Sequence, residues 1–301
     1  MTTVVALGGN ALTRPGERGT AAEQRARLRD TCTALAPLLG EERLVVTHGN
    51  GPQVGQTLAR QERAADEVPP LPLYLAVAET QATIGALLVS ELAAAADRPA
   101  ACLLTRVLVD PADPAFDSPT KPIGPFYSEE RARSLERERG WTLRSDAGRG
   151  WRRVVASPAP LEVLELDAIR ALVDVGTIAV CCGGGGIPVA KQGSGVNGVD
   201  AVVDKDLTSA LLAVRLRAKR LVILTDVGAV VRDYGTPQAE EVRALSRTEA
   251  EALAPQLAEG SMRPKLQAAA DFVRQTKGEV LITSHEALGE ALAGTAGTRV
   301  A

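Results

Sequence analysis

Thr177-Ile-Ala-Val-Cys-Cys-Gly-Gly-Gly-Gly186 is an almost wholly apolar run that stops on four glycines. Such a run, bounded by turn signals, reads as a strand buried on both faces rather than a half-exposed one. Two other segments have the same form. Thr3 to Leu7 is β-branched and apolar and ends at Gly8-Gly9-Asn10, and Arg43 to Thr47 ends at His48-Gly49-Asn50-Gly51. Helical patterns lie between these strands: one starts near Thr20, where Thr20-x-x-Glu23 has the form of a capping box, and one runs from about Pro72 to Ala96. Further strands are expected at Ala100 to Thr105, Val154 to Ser157, Ala201 to Val203, Leu221 to Thr225 and Glu279 to Thr283. Helices are expected over Leu166 to Val175, from Asp206, after the Ser246-x-x-Glu249 capping box, and over Lys265 to Gln275. Alternation of this kind implies an α/β fold with a mainly parallel, doubly covered sheet. In such sheets ligands bind beyond the carboxyl ends of the strands, so the three glycine clusters should gather along one edge.

The 301 residues are read as one domain of two lobes over a shared sheet, residues 1–160 and 176–301. From about 110 to 153 the sequence turns to Pro, Asp, Gly and scattered charge and holds both tryptophans, which marks a small protruding subdomain. Composition is that of an ordinary globular protein, 45% hydrophobic and 24% charged, with a net charge of −3. That balance gives no general attraction to nucleic acid or an anionic membrane. Cys32, Cys102, Cys181 and Cys182 fall at no metal-binding spacing, and only His48 and His285 could join them, so neither a zinc site nor a disulfide framework is expected. Met1 to Leu7 lacks the cationic and long apolar parts of a secretory signal, and Glu79, Gln81 and Glu91 interrupt the most apolar long segment. The expected location is the cytoplasm.

Glycine at a strand end allows close approach of a ligand, and successive backbone N–H groups there make an anion site. A single such loop is an ordinary tight turn; three on one edge point to phosphate. Gly-x-x-x-x-Gly-Lys-Ser/Thr is absent. Gly193-Ser-Gly195-Val-Asn-Gly198 has the letters of a dinucleotide fingerprint, but neither a preceding strand nor a following helix, and reads as a flexible loop. The basic residues divide into 28 Arg and 6 Lys, so a retained lysine marks a position where a compact ammonium is needed. Lys121, Lys191, Lys205 and Lys265 stand in unusual settings, Lys191 being the most ordinary of them; Lys219 and Lys277 look like solvated charges. In Asp204-Lys205-Asp206, Lys205 can face one side while Asp206 caps the following helix or faces other lysines. Phosphoryl transfer needs fixed positive charge, with a carboxylate to offset repulsion among lysines.

Taken in order, Ala6-Leu-Gly-Gly-Asn-Ala-Leu12, Thr47-His-Gly-Asn-Gly-Pro-Gln-Val-Gly55, Pro119-Thr-Lys-Pro-Ile-Gly-Pro125, Gly183 to Val189, Ala201-Val-Val-Asp-Lys-Asp206, Ile223-Leu-Thr-Asp-Val227 and Ser261-Met-Arg-Pro-Lys265 resemble the carbamate kinases of the amino-acid kinase superfamily. The resemblance spans essentially the whole chain. It implies a three-layer αβα sandwich, a homodimer, and reversible phosphoryl transfer between ATP and carbamate, with Mg²⁺ bound through the nucleotide phosphates rather than by the protein. By the same resemblance Gly8, Gly9, Asn10, Gly49, Asn50 and Gly51 hold carbamate or carbamoyl phosphate. Lys121 closes over the transferred group, Lys205 and Lys265 contact it, and Asp206 orients them. Gly183, Gly184, Gly185, Gly186, Thr225, Asp226 and Lys265 belong to the nucleotide side. Two departures stand out: Gln81-Ala-Thr-Ile-Gly-Ala86 lacks the usual Met and Tyr, and Arg263 replaces a Gly. His48 is expected to be structural. The competing readings are a relative acting on another small carboxylate, a non-catalytic nucleotide-binding regulator of the same fold and, last, a nicotinamide oxidoreductase.

Overall fold

In the computed structural model, which describes residues 1–13, 17–41, 43–145, 150–257 and 262–301, the apolar strand Thr2–Leu7 lies inside an eight-stranded sheet and all six of its residues are buried. The strand order is Ala244–Leu245, Thr298–Val300, Glu279–Ser284, Arg220–Thr225, Thr2–Leu7, Arg43–His48, Ile178–Val180, Ala100–Cys102. Every neighbouring pair is parallel except Glu279–Ser284 with Thr298–Val300. Side chains alternate across a strand, and the two faces feed two separate cores. Val4, Ala6, Val45 and Ile223 pack with Leu212, Leu266 and Phe272 from the helices Lys205–Arg215 and Met262–Gln275. Val5, Leu7, Val46 and Leu224 pack with Leu28, Ile84 and Leu88 from the helices Ala21–Ala34 and Leu73–Ala96. The result is the expected αβα sandwich. Both capping boxes form, Thr20 with Glu23 and Ser246 with Glu249.

By length and composition the helix Leu73–Ala96 could cross a bilayer. Here one side of it fills the second core, and Glu91 on that helix receives Arg25 at 2.7 Å and Arg29 at 3.2 Å.

The protruding part is a three-stranded antiparallel sheet, in the order Lys121–Tyr127, Trp151–Val155, Thr142–Ser145, with the helix Glu129–Arg139 against it. Ala132, Leu135 and Leu143 form its small core, and Arg153 lies over the Trp141 ring at 4.4 Å. Where it meets the sandwich, the helix Gly51–Ala64 approaches backbone to backbone: a β-carbon on Gly55 would stand 3.5 Å from Gly124 Cα.

Three expectations need correction. Gly193–Gly198 is not a flexible loop: Ile187–Gln192 and Gly195–Gly198 pair as an antiparallel hairpin, with Gly193 at φ +58° in the turn, and extend a second sheet with Arg106–Leu108 and Glu162–Val163. Ala201 to Val203 is no strand and makes one bridge, Ala201 with Ala156. The strand from Ala100 ends at Cys102, because the Thr105 N–H turns to Gln81 Oε1 at 2.8 Å instead of continuing the ladder.

Candidate functional site

Parallel register brings the carboxyl ends of Arg220–Thr225, Thr2–Leu7, Arg43–His48 and Ile178–Val180 to one edge, side by side. The helix Lys205–Arg215 starts there. Asp204, rather than Asp206, caps it: Asp204 Oδ1 accepts from the backbone N–H of Asp206 at 2.8 Å and of Leu207 at 3.4 Å. That frees the Asp206 carboxylate to face cations. Lys205 Nζ stands 2.8 Å from its Oδ1, and Lys265 Nζ donates to its Oδ2 at 3.1 Å. Lys205 is buried, and the Asp206 carboxylate is its counter-charge at ion-pair distance.

Burial disfavours the Asp206 carboxylate, but the ammoniums of Lys205 and Lys265 outweigh it and hold its pKa at about 2. Burial lowers the Lys205 pKa; Asp206 opposes that and Lys265 adds to it. Lys205 is also close to the first two glycine clusters, since a β-carbon on Gly49 would stand 3.9 Å from Gly9 N and 4.0 Å from Lys205 Cδ. Gly8 presses on the neighbouring strand end, where a β-carbon would meet Leu224 O at 2.7 Å and Thr225 Cα at 3.5 Å. Asp226 follows, exposed. Asn10 lies in the short turn Gly9–Ala11, and its side chain is outside the described residues.

The tetraglycine follows the strand Ile178–Val180 and is tightly enclosed. Gly184, Gly185 and Gly186 have φ of +63°, +87° and +95°, a region that side chains rarely adopt. Each is also pressed against a neighbour: Gly184 against the Asn50 amide, Gly185 against Val203 O, Gly186 against Val107. A β-carbon on Gly183 would meet His48 Nε2 at 2.5 Å. His48 donates from Nδ1 to Gly49 O at 2.8 Å, and burial holds its pKa down at about 4, so the ring is neutral. Asn50 donates to Thr80 Oγ1 at 2.8 Å, and Thr208 to Gly185 O at 2.9 Å. In the sheet order the strand that leads into Gly183 to Gly186 lies three positions from the one that ends at Thr225, about 14 Å at the usual spacing.

Lys121 opens the first strand of the protruding sheet and donates to Asp204 Oδ2 at 2.8 Å. It lines a cleft of about 1030 Å³ with Gly51, Arg152, Asp204, Leu207 and Pro264. Among the described residues no three His, Cys, Asp or Glu side chains gather into a cation site.

Residues 1–284 match the amino acid kinase family. The carbamate kinase of Escherichia coli (strain K12) is 46% identical over 299 residues, 99% of this chain and 98% of its own length. The chain belongs to the carbamate kinases of the amino acid kinase family. The carbamate kinase of Trichomonas vaginalis is 42% identical over 100% of this chain and 99% of its own. Among solved structures, carbamate kinase from Giardia lamblia bound to AMP-PNP superposes with a TM-score of 0.91 at 39% identity, covering 99% of this chain and 98% of that one.

Within this carbamate kinase framework, Lys205, Asp206, Lys265, Gly8, Gly9 and Gly49 come together, and Lys121 reaches them through Asp204. Lys191 is exposed on the hairpin. Arg263 points back along the chain, donating to Leu257 O at 3.1 Å and Pro255 O at 2.9 Å. Gln81, one of the polar residues that interrupt the most apolar segment, is a buried clamp. Its amide donates to Thr105 O at 3.2 Å and Gly183 O at 3.0 Å while its oxygen takes the Thr105 N–H.

Proposed function

We propose that this chain catalyses ADP + carbamoyl phosphate ⇌ ATP + carbamate, the carbamate then decomposing to ammonia and CO₂. The observation that carries the reading is the buried cluster of Lys205 and Lys265 on the shared Asp206 carboxylate, beside the Gly8, Gly9 and Gly49 backbone. An anionic oxygen is the natural partner for such a group. The moving phosphoryl spreads its charge over three oxygens, so catalysis consists of positioning and fixed charge. Lys205 and Lys265 supply that charge. Two ammoniums on one carboxylate repel each other, and the Asp206 charge between them offsets this.

The backbone of Gly8, Gly9, Asn10, Gly49, Asn50 and Gly51 takes the carbamate side. From their packing we assign Gly183 to Gly186 to shaping that pocket, with Thr225, Asp226 and Lys265 left to the nucleotide. Lys121 contacts the transferred group from the protruding subdomain. Carbamate attacks through an oxygen that is already anionic, so no general base is required and no covalent enzyme intermediate forms. Mg²⁺ suits this site as an ion carried on the nucleotide phosphates, where it supplies neutralising charge.

The lobes then divide the work, residues 1–160 for the phosphoacceptor and 176–301 for the nucleotide. A cytoplasmic homodimer acting on small molecules completes the reading, supported by the family likeness and by a net charge of −3 that offers polyanions no general attraction. A luciferase assay of ATP formed from ADP and Mg²⁺ with either carbamoyl phosphate or acetyl phosphate tests the substrate. Signal with carbamoyl phosphate alone is expected; preference for acetyl phosphate would move the chain to a relative acting on another small carboxylate.

A further inference from the structure

One carboxylate joins two elements that line the same cleft. Asp204 Oδ1 caps the helix Lys205–Arg215 through the N–H groups of Asp206 and Leu207, while Oδ2 receives Lys121 Nζ at 2.8 Å from 83 residues away in sequence. We propose that Asp204 is a positioning residue for phosphoryl transfer, holding Lys121 of the protruding subdomain in register with Lys205 and Asp206 on the helix that it caps. The proposal rests on the reading of Lys121 as a contact to the moving phosphoryl group.

The cap alone does not require aspartate. Asn or Ser satisfies helix N–H groups about as well, but only a carboxylate can do so with one oxygen and hold an ammonium with the other. Nor is the pair an ordinary surface contact, for the Lys121 and Asp204 side chains are 28% and 13% exposed. The subdomain is seated on the sandwich by Ile123 and Val155 packed with Val54, and by Tyr127 Oη donating to Glu62 at 2.8 Å; the Lys121–Asp204 pair is a separate tie, to the start of the helix Lys205–Arg215. An ammonium has three donors, so Lys121 held by one oxygen keeps two for phosphate oxygens. The same carboxylate thereby sets the distance between the cation on one wall of the cleft and the lysine–aspartate cluster at the start of the helix.

A double-mutant cycle on the full chain tests this, with Asp204→Asn, Lys121→Ala and the pair compared for kcat and KM toward carbamoyl phosphate and for thermal midpoint. Asp204→Asn keeps the cap and removes the charge, and Asp204→Ser makes the same comparison should the amide variant not hold its fold. Each single change is expected to lower kcat about tenfold or more, with the Asp204→Asn midpoint within about 3 °C of the parent. The double variant is expected to fall no lower than Lys121→Ala alone, within about twofold. Wild-type kcat in Asp204→Asn, wild-type kcat in Lys121→Ala, or a double variant whose loss is the product of the single losses would overturn the proposal. A parent protein that forms no ATP in the same assay would overturn the phosphotransfer reading instead.

Discussion

The Lys265 ammonium donates to Asp206 Oδ2 at 3.1 Å although 59 residues separate the two in sequence, while Lys205 stands 2.8 Å from the other carboxylate oxygen. A buried carboxylate shared by two ammoniums lets positive charge accumulate where phosphate must be met, in a protein whose overall charge is −3.

Asp206→Asn leaves both ammoniums near each other without a counter-charge. Turnover should fall about 10²- to 10³-fold, the scale of losing one preorganised electrostatic group. Breaking a buried charge cluster by removing one member also costs about 3 kcal/mol or more. Steady-state ATP formation and urea unfolding measure the two effects; a variant with parental kcat would remove Asp206 from the catalytic cluster.

Lys205→Ala should abolish turnover and leave nucleotide binding measurable by titration calorimetry. Lys205→Arg should not restore it. A planar guanidinium fork does not reproduce the compact ammonium that stands 2.8 Å from Asp206 Oδ1. Near-parental turnover in either variant would exclude Lys205 from the chemistry.

Gly184→Ala tests the packing of the tetraglycine. A methyl group there meets the Asn50 amide at a backbone φ of +63°. Strain and overlap together should cost about 2–4 kcal/mol, or roughly 3–6 °C in thermal midpoint for a chain of this length. An unchanged midpoint in differential scanning calorimetry would mean that Asn50 and the glycines are not pressed together.

Acid should weaken the fold in two steps. His48 has a folded pKa of about 4 against the ordinary histidine value of 6.5, mainly because it is buried, with the Gly49 carbonyl opposing and Lys205 assisting. Below pH 6.5 the unfolded chain takes up a proton that the folded chain refuses, so the His48 contribution is complete above 6.5 and declines as pH falls toward 4, by about 3 kcal/mol in all. Asp206 has the depressed-carboxylate sign: its contribution is present above 3.8 and is lost as pH falls through about 2. Urea unfolding at about pH 7 and about pH 4.5 should show the first loss in the parent and a smaller one in His48→Gln. Equal losses in both would contradict a neutral, buried His48.

The central sheet was legible because strands covered on both faces must be apolar along their middles, and residues 4–7, 44–46 and 221–224 are. The capping boxes were legible because each is complete within four residues. In the site, retained lysines and the Asp-Lys-Asp triplet pointed to Lys205 and Asp206, but which aspartate caps the helix depends on where Lys265 and Lys121 arrive, 59 and 83 residues away from their partners. Gln81 was hidden for the same reason. Its partners Thr105 and Gly183 lie 24 and 102 residues distant, and nothing local distinguishes such a clamp from a surface glutamine. The hairpin at Gly193 was missed because its strand Gly195–Gly198 is mostly small and polar and carries no strand signal of its own.

The most direct test of the central claim follows phosphorus itself. In ³¹P NMR, the purified chain with ADP, Mg²⁺ and carbamoyl phosphate should show loss of the carbamoyl phosphate resonance with matching growth of the ATP γ-phosphate resonance, and Lys205→Ala should show neither beyond spontaneous decay. Carbamoyl phosphate lost only to inorganic phosphate, at the same rate with and without the folded protein, would contradict it.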